Sequence, residues 1–531
     1  MTVLAFSDDQ NEYANLIETL GKVHLPDGRS LSQALTFEGV PFWEVFSPEL
    51  AWRHLTTAVA SETLLKNAKL WIKPTALHAR DFLRSLTVSR RNESGCGDWP
   101  AAPSVLCIGL TPRMYRDVLE PVAQYVAAQC DCRIVVLGDA PGLFSDQEDA
   151  ATRVQGQVIW QHWGADARES AKRLARALGQ FRRYMAAANG LKTLLRGLDR
   201  ERSTAVRKML GLLFRYYLPQ IIPQAAIALH VLTHHRPALV LSSDTSDARV
   251  RLYTLVAKQM DIPTMDVQFG LAGEESVEWR FFSSDCVAVW GEEGEGALLR
   301  QKVPAAKILQ TGSPRHDTLL SPSAAVISRQ RERLGLMDSR PVVLLASTYV
   351  DRTHDGYARP EVLLDMKRAI FDAARDTPEM VLVVKPHPHE DVEATRALAG
   401  QAANIVFADK ALDIRDLIVM SDAFVSFGST ATIDALIADK PTICPIFAGW
   451  PFSENFRVSG AVWVPETVKE VRCLFSRIAK VKFLTGGEEK ISARIRYLDR
   501  IVYRLDNLAA SRIGQRVIQM AKLETNRSKV S

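Results

Sequence analysis

From Ser104 onward, short apolar runs alternate with longer stretches whose apolar residues recur at helical spacing. Val105–Gly109, Arg133–Gly138 and Gln157–Trp160 read as strands, with a helix at Arg113–Gln129 between the first two. After a break, the pattern resumes with Ala238–Ser242, a helix through Met260, and Thr264–Gln268. Val287–Trp290 and Lys307–Thr311 bracket the helix Glu295–Lys302, and Ala325–Leu334 is a further basic helix. A second series starts at Pro341, with strands at Val342–Ala346, Val381–Val384, Ile405–Phe407, Ala423–Ser426, Thr442–Ile446 and Ala461–Val464. Strands alternating with helices predict parallel sheets with crossover helices. Two such series predict two β/α domains with a cleft between them. Ligands of such sheets sit outside the carboxyl ends of the strands.

The rest of the chain departs from this rhythm. Residues 1–98 form an N-terminal extension of unclear fold, with a helix expected from Pro48 to about Leu83, and 99–315 form the first domain. Within it, 165–235 is a helical insertion in which basic residues from Arg168 to Arg215 far outnumber Glu169, Asp199 and Glu201. Leu174, Leu178, Phe181 and Met185 recur there at helical spacing. Residues 316–490 form the second domain, and 491–531 one or two closing helices.

Composition narrows the class without naming a function. The 531 residues are 47% hydrophobic and 24% charged, ordinary globular values, and the net charge of +5 is too mild for a dedicated nucleic-acid binder. The seven cysteines include no CxxC pair, which fits reduced, core-packed thiols. The first residues lack a basic segment followed by an apolar core, and no apolar run is long and charge-free enough to span a membrane. A cytoplasmic protein is expected, with possible contact at the inner face of the cytoplasmic membrane through its basic insertion.

Candidate chemistry lies at the strand ends. Lys385-Pro386-His387-Pro388 closes one strand, and the prolines fix the backbone there, aiming Lys385 or His387 into the crevice. His387 suits a phosphate oxygen or proton donation to a leaving phosphate. Phe427-Gly428-Ser429-Thr430 joins a strand to a helix, with Ser429 expected as N-cap and Thr430 beside free amides that suit an anion. Asp434, one turn on, is a candidate for ribose hydroxyls, as acidic residues are in other nucleotide sites. Ser347 and Thr348 are further donor-phosphate candidates. Asp244, after the strand Ala238–Leu241, is the candidate general base, with helix capping by Asp244 or Asp247 as the competing role. Arg249 could offset phosphate charge. No DxD at a strand end and no HExxH appears, so no metal ligands are assigned and no cofactor is expected beyond a nucleotide-sugar co-substrate.

The order strand–KPHP, then SD-x-x-x-S-x-x-ST-x-x-x-D-A-x-x-x-x-KP, resembles the C-terminal half of GT-B glycosyltransferases. It is most similar to the group containing bacterial sialyltransferases, Kdo transferases of capsule assembly and CDP-glycerol glycerophosphotransferases. Upstream, Asp266-Val267-Gln268-Phe269-Gly270, Trp290-Gly291-Glu292 and Thr311-Gly312-Ser313-Pro314-Arg315-His316-Asp317 resemble the Q-H-G, WGE and TG-S/N-P-x-x-D elements of these families. The resemblance implies two Rossmann-like β/α domains and places His387, Pro388, Ser429 and Thr430 at the donor's nucleotide phosphate. Gln268, Gly270, Gly312, Ser313 and Arg315 become cleft candidates through the same elements. Phe269 stands where many relatives have histidine, and the acidic motif that supplies the sialyltransferase base has no clean copy. The TG-S/N-P element also occurs in UDP-GlcNAc 2-epimerases.

The expectation is a metal-independent GT-B glycosyltransferase that uses a CMP- or CDP-linked donor to extend a bacterial surface polysaccharide, such as capsule. Its partners would be the nucleotide sugar and a glycan or lipid-linked acceptor. The alternatives are a UDP-GlcNAc 2-epimerase-like isomerase and a non-catalytic component that binds membrane or glycan.

Overall fold

The computed structural model describes residues 4–58, 103–138 except 112 and 113, 153–271 except 245, and 277–350 except 318, 320–322 and 337. It also describes 359–481 except 452, then 484 and 487–525. The chain divides into two compact units, Met1–Pro314 together with Leu508–Ser531, and Arg315–Asn507.

The first unit is built on a seven-stranded sheet. Its strands are β1 (Ser104–Ile108), β2 (Arg133–Gly138), β3 (Val154–Val158), β4 (Leu239–Ser242), β5 (Thr264–Val267), β6 (Cys286–Val289) and β7 (Ile308–Gln310). They pair in parallel in the order β3-β2-β1-β4-β5-β6-β7. The β/α rhythm predicted this sheet. The third strand begins earlier than the pattern suggested, and Ile159–His162 is a 3₁₀ turn instead.

Side chains alternate across the sheet, as strand geometry requires. Leu106, Ile108, Val135 and Leu137 enter one apolar core, and Val105, Cys107, Ile134 and Val136 enter another. Both faces are therefore covered, which is why these strands read as nearly continuous apolar runs. The first core also takes Leu20, Leu31, Phe42 and Phe46 of the N-terminal extension, and Leu174, Leu178, Phe181, Val206 and Leu232 of the insertion. The extension is thus part of the first unit's core. Its helix Phe42–Ala58 starts before the expected Pro48, and the remainder of that expectation falls outside the described residues. The insertion is helical as predicted: Ala165–Ala187, Gly190–Leu194, Arg200–Leu212 and Leu218–His235. The second core takes Ile513 and Val517 of the last helix, Ala509–Met520. The closing residues expected at 491–531 therefore separate: Gly487–Ile501 lies in the second unit, and the last helix packs into the first.

The second unit carries a five-stranded parallel sheet: β8 (Val342–Ala346), β9 (Val381–Lys385), β10 (Ile405–Phe407), β11 (Ala423–Ser426) and β12 (Thr442–Ile443). The order is β10-β9-β8-β11-β12. Here too alternate residues go to opposite cores, Val343, Leu345, Leu382 and Val384 to one, Val342, Leu344, Val381 and Val383 to the other. The expected strand at Ala461–Val464 is reduced to an isolated bridge between Ile443 and Trp463. Among the described residues no helix is long and apolar enough to cross a membrane. Cys107, Cys130, Cys132, Cys286 and Cys444 are free and buried, as core-packed thiols should be.

Candidate functional site

Each sheet has one point where the strand order reverses, and ligands of such sheets gather outside the carboxyl ends there. In the second unit the point lies between β8 and β11. Ala346 is in register with Lys385 on one side and Ser426 on the other. With strands about 4.8 Å apart, the segments following Ala346, Lys385 and Ser426 share one edge about 10 Å wide. Those segments carry Ser347 and Thr348, His387 and Pro388, and Ser429 and Thr430.

The loop after β9 is braced by a residue that sequence reasoning passed over. Glu390 is buried, and its Oε1 accepts from Ser347 Oγ at 2.7 Å, Lys367 Nζ at 2.5 Å and Thr395 Oγ1 at 2.7 Å. Its Oε2 accepts from the His387 amide at 2.9 Å. Lys410 straps the same loop, donating to the carbonyls of Pro388 at 3.0 Å and Glu390 at 2.8 Å. Lys385, expected to point into the crevice, is buried and donates from Nζ to the Lys410 carbonyl at 2.7 Å. Lys385 and Ser347 thus have loop-bracing partners. The His387 ring is half-buried, 4.9 Å from the ring of Tyr349, and Nδ1 accepts from the His389 amide at 3.3 Å. Pro388 is exposed and Thr348 half-buried.

After β11, Gly428 takes a φ of 94°, a region that favours glycine. Ser426 Oγ pairs with Thr432 Oγ1 at 2.7 Å and accepts from the Gly428 amide at 3.2 Å. This fixes a loop that leaves Ser429 exposed and Thr430 half-buried. The N-cap of the short helix Ala431–Ile437 is Thr430, in helical geometry and with no side-chain cap bond, not Ser429 as expected. Neither the Ser429 nor the Thr430 amide has an acceptor among the described residues.

Asp434 corrects a further expectation. It is fully buried and forms an ion pair with the equally buried Arg315, so it has no surface to offer a ribose. Burial alone would raise its pKa, but Arg315 and the neighbouring His316 outweigh that and hold it at about 2. Burial pushes His316 below its ordinary value despite Asp434 at 3.5 Å. Arg315, a cleft candidate by its motif, is thereby a structural partner.

In the first unit the reversal lies between β1 and β4, and Asp244 follows β4. It is half-buried, and Oδ1 accepts from the Ser246 amide and hydroxyl, both at 2.8 Å, and from the Asp247 amide at 3.1 Å. Burial, then Asp247, push its pKa above the ordinary value against these bonds. Asp247 is the actual N-cap of the following helix, accepting from the Arg249 amide, while the Arg249 guanidinium bonds back to Asp247. Arg249 therefore serves its own turn. Gln268 is a buried staple: Oε1 accepts from the Trp290 amide at 2.8 Å, Nε2 donates to the Gly270 carbonyl at 2.8 Å, and its carbonyl accepts from Trp290 Nε1 at 2.9 Å. Gly312 takes a φ of 77°, and Ser313 beside it is buried.

Residues 301–457 match the family model described as CDP-Glycerol:Poly(glycerophosphate) glycerophosphotransferase. This segment is glycerophosphotransferase-like. It contains every strand end just described in the second unit, and the family is one of those the sequence motifs resembled. No curated protein matches the chain. Among solved structures, the UDP-GlcNAc 2-epimerase from Neisseria meningitidis bound to UDP-GlcNAc is 14% identical with a TM-score of 0.47, covering 78% of this chain and 100% of that one. S. aureus MnaA with UDP is 12% identical with a TM-score of 0.49, covering 80% and 98%. The wall teichoic acid polymerase TagF is 13% identical with a TM-score of 0.48, covering 84% and 98%.

Proposed function

We propose that this protein transfers a polyol-phosphate or sugar group from a CMP- or CDP-linked donor to a hydroxyl of a bacterial surface polymer. The match of residues 301–457 to the glycerophosphotransferase family carries the reading. The edge at the β8–β11 reversal supports it. There the half-buried His387 ring, the exposed Ser429 and the half-buried Thr430 offer hydrogen bonds of the kind a phosphate accepts. Glu390 and Lys410 brace the loop that carries His387, so less ordering of that loop is left to be done on binding.

With a CDP-polyol, the acceptor oxygen attacks the phosphorus that carries the polyol. The phosphoanhydride bond breaks, the acceptor proton passes to a base, and CMP leaves. His387 donates to the leaving phosphate, Ser429 and Thr430 hold it, and Asp244 is the candidate base. Charge at the phosphates is then met by side chains and amides, without a metal at that position.

The test is a thermal-shift series with CMP, CDP, UDP and GDP, followed by incubation with CDP-glycerol and a polymer acceptor. Stabilisation by a cytidine nucleotide, CMP release and phosphorus entering the polymer are expected. A shift with UDP alone overturns the donor assignment, and silence with all four nucleotides overturns the transferase reading.

A further inference from the structure

The helical insertion brings together three side chains that the transfer chemistry does not use. His230 and His234 stand one turn apart near the end of the helix Leu218–His235, and so share a face. Asp166 lies in the first turn of the helix Ala165–Ala187, which packs alongside. The candidate ligand atoms of Asp166, His230 and His234 all lie within 4.8 Å of one another.

We propose that Asp166, His230 and His234 form a binding site for a divalent transition-metal ion, with zinc the best fit. Two imidazoles and one carboxylate are a donor set that suits zinc, leaving a fourth position for water.

The tautomers support the assignment. His234 Nδ1 lies 2.9 Å from the His230 carbonyl, so the proton sits on Nδ1 and Nε2 keeps its lone pair, 3.7 Å from Asp166 Oδ2. A hydrogen bond from the second ring nitrogen to a backbone carbonyl is the usual way a ligand histidine is oriented. His230 Nδ1 is buried and has no hydrogen-bond partner. The two rings lie with centroids 4.2 Å apart.

Zinc bonds of about 2.1 Å imply ligand–ligand edges of about 3.4 Å in a tetrahedron. The cluster is slightly wider than that. The His234 ring is held by the His230 carbonyl, and the exposed Asp166 side chain closes the remaining distance by rotation. An ion there would tie the end of one insertion helix to the start of another. It is a structural clip, distinct from the strand-end site. The competing explanation is an ion pair between protonated His234 and Asp166, each already favoured by its helix terminus.

The experiment uses the full-length protein, stripped with chelator and dialysed, then titrated with Co²⁺ and back-titrated with Zn²⁺. One Co²⁺ per chain with visible d–d absorption, displaced by Zn²⁺, is expected, together with a Zn²⁺-dependent rise in melting temperature. The double variant His230→Ala/His234→Ala should lose affinity by well over tenfold and lose the thermal shift. Asp166→Asn, at an exposed position, should weaken binding about tenfold or more and carries the test if the double variant fails to fold. Co²⁺ binding no tighter in the wild type than in Asp166→Asn, or a melting temperature that ignores Zn²⁺, overturns the proposal and leaves the ion pair.

Discussion

Lys367 Nζ stands 2.5 Å from Glu390 Oε1, and both side chains are buried. Burial pulls the Lys367 pKa down despite the carboxylate. Burial would raise Glu390, but Lys367 and the hydroxyls of Ser347 and Thr395 outweigh it and hold Glu390 below its ordinary range. The two groups form a buried ion pair whose carboxylate is further held by two hydroxyls. Breaking a buried pair from one side costs about 3–5 kcal/mol, because the other charge stays behind. Glu390→Gln and Lys367→Met should each destabilise the protein by about that amount, and the double variant by clearly less than the sum. Urea unfolding of the four proteins measures the coupling, and strict additivity would refute it.

The ion pair of Arg315 and Asp434 should be visible in acid. The folded pKa of Asp434, about 2, lies below its ordinary 3.8. Its contribution is thus fully present above pH 4 and is lost as pH falls from 3.8 toward 2. The magnitude is on the order of 2 kcal/mol. Asp434→Asn should unfold more readily at neutral pH and show a flatter stability profile across this window. An unchanged acid limb in the variant would assign the effect to other carboxylates.

His387 and Ser429 separate chemistry from binding. His387→Ala should lower kcat/KM for CMP release by about 10²–10⁴ if it serves the leaving phosphate as general acid. Ser429→Ala removes one hydroxyl at an exposed position and should cost about 1 kcal/mol of donor affinity. Both should melt like the wild type, since neither side chain is buried. Wild-type turnover by His387→Ala would remove it from the mechanism.

Asp244 gives a pH signature of the opposite sign. Its pKa is raised, so a rate that needs its ionised form should fall on the acid side at a pH above the ordinary carboxylate value of 3.8. A raised carboxylate pKa weakens folding as pH rises through it. Asp244→Asn, which keeps an oxygen for the Ser246 and Asp247 amides, should therefore be no less stable at neutral pH while losing activity. An unstable variant with an unchanged acid limb would mark Asp244 as a loop brace alone.

The sheets and the strand ends were legible because their signals are local: apolar runs, terminal prolines and a glycine-hydroxyl turn. What surrounds them was not. Ser347 and Lys367 are 43 and 23 residues from Glu390, and Arg315 is 119 from Asp434. A local reading sees Asp434 as an acid near a helix start, because the charge that buries it comes from a distant motif. Glu390 had one near signal, its place three residues after His387, the spacing at which a carboxylate accepts a turn amide. Lys385 departs from the sequence expectation for a related reason. Its side chain follows the loop back to Lys410 instead of following the strand outward.

The return of Ala509–Met520 to the first unit has a consequence for how the chain is made. Ile513 and Val517 complete a core whose other members, such as Val105 and Val122, are synthesised some four hundred residues earlier. The second unit is thus nested within the first in chain order, so that face of the first cannot be filled until residues 509–520 have been made. Gly514, whose missing side chain makes room for the ring of Tyr125, marks where the late helix seats. A released chain truncated before residue 508 should hold a finished second unit and a first unit that still exposes apolar surface to chaperones.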